Sequence, residues 1–469
     1  MNILLFGTGD YYDKYKGWFR KGDILGILDN DRQKQGTVVD GTRVYAPGEG
    51  IRLPYDKICI LSVYYGDIRE QLLGLGVSGE DIISCVELHK YPEVARGRQE
   101  CLFFDQDGKR VPRIGNRATD ILMMGHDLDF NGATLAFYYV ACILVKNGRR
   151  VWFAAWTDGA VRQLLEKQGI GVIVDPNLQV GTSRDIGWMA GFRYVMCNTL
   201  LYSTFLSDRR EEVRFIWWLH EPELFYQSVD RGLAGGIRGA NLRAYAAGPV
   251  ALTAFHKMFP DIQARELLYG IPDVSGEYRQ GGVHEKLEFV TIGNVQEYKG
   301  QDILVDAVGK LGSEYRERLH VRIIGGKESL YYNEIRQKAG QYAGVVEFVP
   351  PMDRDGVYRA YRASDVFVCA SRQDCMPVVV AESMMFSLPC IVSDSTGIAP
   401  YVRRSGGGLV FPCGDSGELA DKMRWCVEHR GELLGMGELA RKEYERSFSM
   451  RVFEENILKA VNGFFDTWR

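Results

Sequence analysis

The chain has 469 residues, of which 46% are apolar and 25% charged, and its formal net charge is −4. This composition is ordinary for a soluble globular protein of two or three domains. The small net charge excludes a general attraction for nucleic acid but leaves open a local basic patch and a peripheral contact with a membrane. No apolar run approaches the ~20 residues of a membrane-spanning helix. A strand predicted at residues 3–6 argues against a signal peptide.

The ten cysteines are scattered and form no C-x-x-C pair. Several lie inside apolar runs, as Cys59, Cys197 and Cys369 do. Such a pattern is typical of buried, reduced thiols and not of a disulfide or zinc framework. We therefore predict a cytoplasmic protein, at most peripheral at the inner face of the membrane.

Residues 1–84 have the pattern of a small α/β unit. Strands are predicted at 3–6, 24–28 and 57–61, with helices at 11–19 and 68–75. The turn Gly7-Thr8-Gly9 followed by Asp29 suggests a dinucleotide fingerprint, but Tyr12 occupies the place of its third glycine. Cofactor binding therefore stays open, and a structural or sugar-nucleotide-sensing role is the favoured interpretation.

Residues 85–118 are predicted to be a linker that contains a β-hairpin. Strands at 99–104 and 109–114 flank the turn Asp105-Gln106-Asp107-Gly108.

A second α/β unit is predicted over residues 119–270. Its strands are predicted at 121–124, 150–155, 194–197, 215–219, 250–253 and 264–268, and its helices at 134–146 and 160–168. This alternation predicts a mostly parallel sheet with its ligand crevice beyond the carboxyl ends of the strands. Two loops that carry candidate functional residues reach that edge. One contains Gly132 at a helix N-terminus, and the other contains His220.

A third α/β unit follows a glycine-rich break at 270–285. Strands are predicted at 287–292, 321–324, 345–349, 365–370 and 390–393, and helices at 301–311, 355–363, 415–429, 431–446 and 451–465. The loop Gly293–Gly300 carries Lys299, whose ammonium suits a diphosphate. A solvated lysine is the alternative. This loop, the Gly325 turn and the loop with Asp374 all end strands of one predicted sheet.

Residues 371–382 carry the most informative pattern. A strand ends, a short loop follows, and a helix begins near Pro377 with free N–H groups that can bind an anion. Asp374 stands just before this helix, and Glu382 lies on the order of 7–8 Å further along its axis. The two carboxylates could accept from a sugar hydroxyl and a ribose hydroxyl at the two ends of a phosphate site. Alternatively, Asp374 caps the helix and Glu382 is solvated.

The order and spacing of these motifs over residues 119–465 resemble the family-4 retaining glycosyltransferases of the GT-B fold. The carrying motifs are Gly293–Gly300, Ile323–Gly326, Ala363–Ser371, the pair Asp374 and Glu382, Ile271-Pro272-Asp273, and His220-Glu221. Residues 1–84 resemble Rossmann-type domains attached to sugar-processing enzymes.

The resemblance implies an α/β chain with two Rossmann-like domains facing a cleft and a small N-terminal α/β domain. We expect an accessory domain at 1–84, the linker at 85–118, an acceptor domain at 119–270 and a donor domain at 271–450. The helix in 451–469 is expected to cross back to the acceptor domain.

The same resemblance implies transfer of a hexosyl unit, with retention, from a nucleoside diphosphate sugar to a glycan, lipid-linked or polymer acceptor in polysaccharide biosynthesis. No metal or other cofactor is expected, and no nucleic-acid partner. His220 and Asp374 are the expected catalytic residues, with a buried structural histidine as the alternative for His220. The expected donor-binding residues are Gly132, Gly293, Asn294, Lys299, Gly325, Val349, Cys375, Met376, Pro377, Val378, Val379 and Glu382.

Three departures from the family pattern keep alternatives open. Asp374 replaces the usual glutamate, Cys375 a common glycine, and Asn294 an arginine that often accompanies the lysine. Unless another arginine supplies the missing charge, the chain could be a non-catalytic sugar-nucleotide-binding protein. An NAD-dependent sugar-nucleotide epimerase or oxidoreductase, acting through the N-terminal domain, is a further alternative.

A D-x-D pair at Asp127 and Asp129 offers oxygen ligands that would suit magnesium. Its place after the first strand of a unit favours a solvated loop or a contact with the acceptor.

Overall fold

The structure is a computed structural model, and it describes residues 1–91, 93–95, 99–229, 234–278, 284–326 and 328–466. The chain divides into two compact units. The first contains Met1–Tyr245, Ala254–Arg265 and the residues from 461 onward, and the second contains Ala246–Thr253 and Glu266–Ala460.

The first unit begins with a six-stranded sheet in the order β3-β4-β2-β1-β5-β6. Short apolar strands such as Ile3–Phe6, fully buried, form its centre because both faces are covered. The strands are β1 Ile3–Phe6, β2 Ile24–Leu28, β3 Val38–Val39, β4 Thr42–Tyr45, β5 Lys57–Ile60 and β6 Ile82–Ser84. The helices are α1 Asp10–Tyr15, α2 Pro47–Gly50 and α3 Tyr65–Gly74.

A nine-stranded sheet follows in the order β15-β14-β13-β12-β9-β10-β11-β7-β8. Its strands are β7 Leu102–Phe104, β8 Arg110–Val111, β9 Ile121–Met124, β10 Val151–Ala155, β11 Gly171–Val174, β12 Tyr194–Asn198, β13 Arg214–Leu219, β14 Leu242–Ala246 and β15 Ala264–Glu266. Its helices are α4 Gly132–Lys146, α5 Val161–Lys167, α6 Ser203–Ser207, α7 Ala234–Ile237 and α8 Pro249–Met258. Strands β9, β10, β12 and β13 pair in parallel, so their carboxyl ends share one edge.

The second unit holds a six-stranded parallel sheet in the order β18-β17-β16-β19-β20-β21. Its strands are β16 Leu287–Ile292, β17 Leu319–Ile324, β18 Val346–Val349, β19 Val366–Cys369, β20 Cys390–Ser393 and β21 Gly408–Phe411. Its helices are α9 Gln301–Lys310, α10 Ser313–Arg316, α11 Leu330–Ala339, α12 Arg354–Arg362, α13 Val378–Met385, α14 Ala399–Ser405, α15 Ser416–Glu428, α16 Leu433–Ser447 and α17 Met450–Phe465, which ends in the first unit. The order reverses beside β16, the position at which ligands bind in such sheets.

The strand predicted at residues 250–253 is wrong, because these residues lie inside α8. A short apolar run does not distinguish a strand from a buried helix segment. Pro249, at the first position of the helix, was the available signal. The strand of this region is β14, which the sequence analysis missed, as it also missed β11.

The hairpin predicted around Asp105 is present as β7 and β8. The sequence predicts that it lies in a linker, whereas in the structure β7 pairs antiparallel with β11 and thereby extends the edge of the second sheet.

Over the residues that the structure describes, none of the helices combines the length and the apolar character needed to cross a membrane.

Candidate active site

The loops at the carboxyl ends of β16 and β19 bring Lys299 and Asp374 together. The Lys299 Nζ atom lies 2.6 Å from Asp374 Oδ2, with 30% of the lysine side chain and 14% of the aspartate side chain exposed. Burial lowers the pKa of Lys299, but the adjacent carboxylate more than offsets this and holds the pKa above its usual value. The ammonium is therefore charged, and it keeps further N–H groups for a ligand.

Two glycines make this approach possible. Gly300 has φ +70°, and a Cβ atom there would lie 2.0 Å from the carbonyl oxygen of Ala370. A Cβ atom on Gly397 would lie 1.7 Å from the carbonyl oxygen of Cys375, and the Gly397 N–H donates to Asp374 O at 2.9 Å. Only glycine allows the backbone to pack this closely. Gly300 belongs to the predicted phosphate loop, whereas Gly397 lies in none of the predicted motifs.

Helix α13 begins directly after Pro377, which has φ −64° and serves as the N-cap without a capping side chain. Within the described residues, the N–H groups of Val378 and Val379 have no backbone or side-chain acceptor. These two N–H groups and the helix dipole favour an anion at this point.

The Cys375 and Met376 side chains are buried. Cys375 packs with Ala246 and Ala251, and the Tyr269 hydroxyl donates to the carbonyl of Met376 at 3.0 Å. Contact with a ligand at these two positions would therefore come from the backbone.

Glu382 is 1% exposed and has both carboxylate oxygens engaged. Arg354 donates to one oxygen, and the Tyr361 hydroxyl donates to the other at 3.1 Å. The solvated alternative for this residue is wrong, because the carboxylate is enclosed by these partners. Arg354 is not among the predicted site residues, but its side chain is more than half exposed and its guanidinium lies at the carboxylate expected to hold ribose.

The remaining predicted donor-binding residues of this unit also lie at the carboxyl edge of the sheet. Gly293 follows β16 with open space beside its Cα atom, and Gly325 follows β17 with φ +108°. Val349 ends β18 and accepts from the Gly325 N–H at 3.1 Å. The Asn294 carbonyl accepts from Gln301 at 3.0 Å.

Arg372 does not supply the missing positive charge beside Asn294. Its guanidinium holds Asp302 through two hydrogen bonds of 2.8 and 2.6 Å and the carbonyl of Glu297 through a third of 2.7 Å. These bonds fix the Lys299 loop to the loop that contains Asp374. Arg372 is therefore a positioning residue.

His220 and Gly132 belong to the first unit, whereas the other predicted site residues belong to the second. Burial and the nearby His126 lower the pKa of His220 to about 3, so the imidazole is neutral at physiological pH. Its Nε2 atom is buried and has no hydrogen-bond partner among the described residues. The adjacent Glu221 accepts from the backbone N–H groups of Leu200 and His220, both at 2.9 Å.

Gly132 starts α4, as predicted for a helix N-terminus. The Asn131 side chain accepts from the Thr134 N–H at 2.9 Å, which leaves the N–H groups of Gly132 and Ala133 without an acceptor in the described part of the chain.

Asp127 is saturated by hydrogen bonds. Its carboxylate lies 2.9 Å from His126 Nε2 and accepts from Asn131 at 2.9 Å, Thr134 at 3.0 Å and the Asp129 N–H at 3.2 Å. Burial raises the pKa of Asp127, but His126, the charge of Lys14 and the Thr134 hydroxyl reverse this shift and hold it well below its usual range. The described residues contain no cluster of three or more His, Cys, Asp or Glu side chains that could hold a metal ion.

The N-terminal glycine turn has its acidic partner occupied. Asp29 accepts from the Thr8 N–H at 3.1 Å and from the Thr8 hydroxyl at 2.5 Å, so the carboxylate expected to hold a ribose closes the turn itself. The buried Tyr12 fills the space where a dinucleotide fingerprint has its third glycine. These contacts favour a structural role for the turn.

Tyr12 and Lys16 have the Tyr-x-x-x-Lys spacing of a sugar-nucleotide oxidoreductase, so the expectation that residues 1–84 contain no such pair is wrong. Both side chains are bound to Asp40, at 3.3 and 2.9 Å, and Lys16 is also bound to Asp13. The pair is therefore engaged in a surface network.

Two stretches of the chain match the models of known protein families. Residues 286–429 match the family described as Glycosyl transferases group 1, and residues 1–83 match the family described as C2185-like, N-terminal.

Curated relatives match only parts of the chain. The D-inositol 3-phosphate glycosyltransferase of Jonesia denitrificans is 30% identical over 36% of this chain and 41% of its own length. The D-inositol 3-phosphate glycosyltransferase 2 of Catenulispora acidiphila is 27% identical over 32% of this chain and 37% of its own length. Spore coat protein SA of Bacillus subtilis is 26% identical over 38% of this chain and 49% of its own length. The chain thus spans less than half the length of these relatives.

Solved structures match over more of the chain. HepE from Anabaena in complex with UDP-glucose aligns with a TM-score of 0.61 at 18% identity, covering 73% of this chain and 99% of HepE. Sucrose-phosphate synthase from Thermosynechococcus elongatus aligns with a TM-score of 0.61 at 15% identity, covering 75% of this chain and all of that chain. At these identities the likeness shows the fold alone.

The predicted α/β architecture is confirmed by these neighbours, and the N-terminal domain lies outside the residues of the group 1 match. Residues 286–429 are therefore similar to the glycosyl transferases group 1, and the chain has a GT-B fold that carries an additional N-terminal α/β domain.

Proposed function

We propose that the chain transfers a hexosyl unit from a nucleoside diphosphate sugar to a hydroxyl of a glycan, lipid-linked or polymer acceptor, with retention and without a metal. The observation that best supports this proposal is the Lys299–Asp374 pair beside the uncapped N-terminus of α13. Both features stand at the carboxyl edge of a group 1 domain, where the sheet order reverses.

This site can stabilise a departing diphosphate. Negative charge develops on the leaving oxygen as the glycosidic bond breaks, and preorganised donors stabilise it without further reorganisation. The Lys299 ammonium and the N–H groups of Val378 and Val379 are the donors available in the second unit. Asp374, held by Lys299, would accept from a hydroxyl of the donor sugar.

Glu382 is the proposed ribose contact. Its carboxylate is already held by Arg354 and Tyr361, so a ribose hydroxyl would share or displace the Arg354 bond. The exposed guanidinium could then turn to the diphosphate and replace the charge that Asn294 does not supply.

His220 is proposed to contact the transferred sugar as a neutral imidazole. A neutral ring offers one N–H donor and one acceptor, which suits a hydroxyl. The buried Nε2 atom without a partner supports this role.

A donor assay tests the proposal. Purified protein is incubated with UDP-, GDP- and dTDP-hexoses, first alone and then with acceptors that include inositol phosphates and polyprenyl-linked sugars, and free diphosphate and glycosylated product are measured. UDP-glucose comes first, because HepE was solved with it. Proton NMR of the product reports whether the anomeric configuration is retained. Binding of these nucleotides without hydrolysis or transfer of any of them would leave a non-catalytic binding protein; inversion would remove the retaining assignment.

A further inference from the structure

A cavity of about 230 Å³ in the first unit lies between the N-terminal domain and the carboxyl edge of the second sheet. Tyr11 and Lys14 of α1 line one side of it. His126, Thr199 and His220, which follow strands β9, β12 and β13, line the other. The cavity therefore combines an edge at which ligands bind in α/β sheets with a helix from the separately matched N-terminal residues 1–83.

Helix α1 is held in this position by residues from the part of the chain that forms the second sheet. The Gln179 side chain donates to the carbonyl of Lys14 at 3.1 Å and accepts from the indole N–H of Trp18. The Thr204 hydroxyl donates to the carbonyl of Val86, another residue of the cavity wall, at 3.3 Å. These hydrogen bonds therefore hold the wall that contains Lys14 in place within the first unit.

Apart from His220 Nε2, which is proposed to face the transferred sugar, two polar atoms of the lining lack partners among the described residues. They are His126 Nδ1 and Thr199 Oγ1, and each is buried. Buried polar groups are nearly always hydrogen-bonded, so two such atoms in one cavity indicate a ligand with hydroxyl groups. The Thr199 residue is 3% exposed.

Thr199 also has a strained backbone. Its φ is +86°, a conformation that β-branched residues rarely adopt. The strain is held in place because its N–H donates to the Trp218 carbonyl at 2.9 Å and its carbonyl accepts from the Trp217 indole at 2.8 Å. Strain of this kind collects at ligand sites, where it aims a side chain.

Charge identifies one end of the ligand. Asp127 is paired with His126, and Glu221 accepts from two backbone N–H groups. The Lys14 ammonium forms no hydrogen bond, and no ion pair within 4 Å, with any residue that the structure describes, although its charge lowers the pKa of Asp127. It is the lysine of the lining, and it can receive an anion.

We propose that this cavity is an acceptor subsite, completed by α1 of the N-terminal domain, that binds a single hydroxylated ring carrying an anionic substituent. The inference rests on the proposed function and specifies its acceptor. Pockets of ~300–1,000 Å³ hold drug-sized ligands, so the smaller cavity fits one ring. Its apolar and aromatic walls, such as Tyr11 and Phe225, suit the faces of that ring, and Lys14 receives its phosphate or carboxylate.

Calorimetric titration of the full chain tests the subsite with glucose 6-phosphate, glucose 1-phosphate, glucuronate and glucose as probes. We expect at least one charged probe to bind more tightly than glucose, and Lys14→Met to weaken it roughly tenfold or more. Thr199→Val, which keeps the β-branched shape but removes the hydroxyl, should weaken charged and neutral probes alike. Comparison of the affinities for the two sugar phosphates with the affinity for glucuronate shows whether the site prefers a phosphate or a carboxylate.

Lys16→Met is the matched control. Lys16 lies two residues further on but is bound to Asp13 and Asp40 and does not line the cavity. It should bind every probe as the wild type does. Failure of all charged probes to exceed glucose, or equal affinities in Lys14→Met and the wild type, would overturn the inference.

The outcomes also separate this inference from the proposed function. Wild-type protein that hydrolyses a nucleotide sugar but binds no probe would retain the function and lose the subsite. Protein that binds a charged probe through Lys14 but hydrolyses no donor would retain the subsite and lose the transferase assignment.

Discussion

At the residue scale, the Lys299–Asp374 pair raises the question of whether the lysine serves the fold or a ligand. A mostly buried ion pair costs desolvation, and its loss leaves the remaining charge uncompensated. We expect Lys299→Met to raise the Kd for UDP about 10- to 100-fold, since a hydrogen bond to a charged group contributes about 1.5–3 kcal/mol. Calorimetric titration with UDP measures the change.

Two variants separate the roles. Lys310→Met changes an exposed lysine at the other end of α9 and should leave the Kd unchanged. Lys299→Met combined with Asp374→Asn removes both charges, so it should recover stability without recovering affinity for UDP. Wild-type affinity in Lys299→Met would reduce the lysine to a structural partner of Asp374.

His220 predicts a pH dependence of stability. Its folded pKa of about 3 lies below the usual value of 6.5, so the unfolded chain binds a proton first as the pH falls. The neutral ring therefore contributes stability that is fully present above pH 6.5 and is lost toward pH 3. Between pH 7.5 and 5.5, the wild type should lose about 1.4 kcal/mol more of unfolding free energy than His220→Asn.

Urea unfolding of both proteins at the two pH values measures this difference. Subtraction of the variant cancels the carboxylates that both proteins share. Parallel pH profiles would mean that His220 titrates near its usual pKa in the folded protein.

Some site residues could be predicted from the sequence, because they follow apolar strands whose carboxyl ends must share an edge. Lys299 and Asp374 are of this kind. Arg354 could not be predicted, because it meets Glu382 only through the packing of α12 against α13. The left-handed backbone of Thr199 has no sequence signal either, since threonine there gives no warning of a positive φ.

At the element scale, Gly300 fixes the start of α9 against the end of β19. An alanine at φ +70° would cost about 1–2 kcal/mol of conformational strain. The clash with the Ala370 carbonyl would add about 1–3 kcal/mol, as overpacking does. We expect Gly300→Ala to lower the unfolding free energy accordingly and, by displacing the neighbouring Lys299, to weaken UDP binding.

Gly406→Ala is the control for the strain alone. Gly406 has φ +69°, but its Cβ atom would meet only the Leu439 side chain, at 3.4 Å. The difference between the two variants therefore isolates the clash. Equal losses of stability and an unchanged Kd in both would show that the Gly300 turn does not position Lys299.

Element types were predictable where the hydrophobic period was long or the strand was bounded by glycines. Strands such as Leu287–Ile292 were therefore predicted with the observed bounds. Residues 250–253 were not, because this run of three apolar residues and a threonine fits both periods, and the helical pattern becomes visible only further along, at Phe255.

At the scale of the whole molecule, the proposed phosphate sites would draw positive charge from lysine, helix N-termini and Arg354, although the net charge of the chain is −4. The oxygen ligands nearest to a metal-binding pattern are Asp127 and Asp129, and Asp127 already accepts from four donors. A divalent ion there would have to displace His126, Asn131 and Thr134.

We therefore expect donor hydrolysis and transfer to be unchanged after dialysis against EDTA, with no gain on addition of manganese or magnesium. Initial rates with the best nucleotide sugar, measured before and after dialysis and again with each metal, check this expectation. Asp129→Asn is the informative companion variant, because it removes a possible metal ligand but leaves the Asp127 network in place. A contrary result would be a loss of activity with EDTA that manganese restores in the wild type but not in Asp129→Asn. That result would mean that a metal at Asp127 and Asp129, and not Lys299 and α13, stabilises the negative charge of the leaving group.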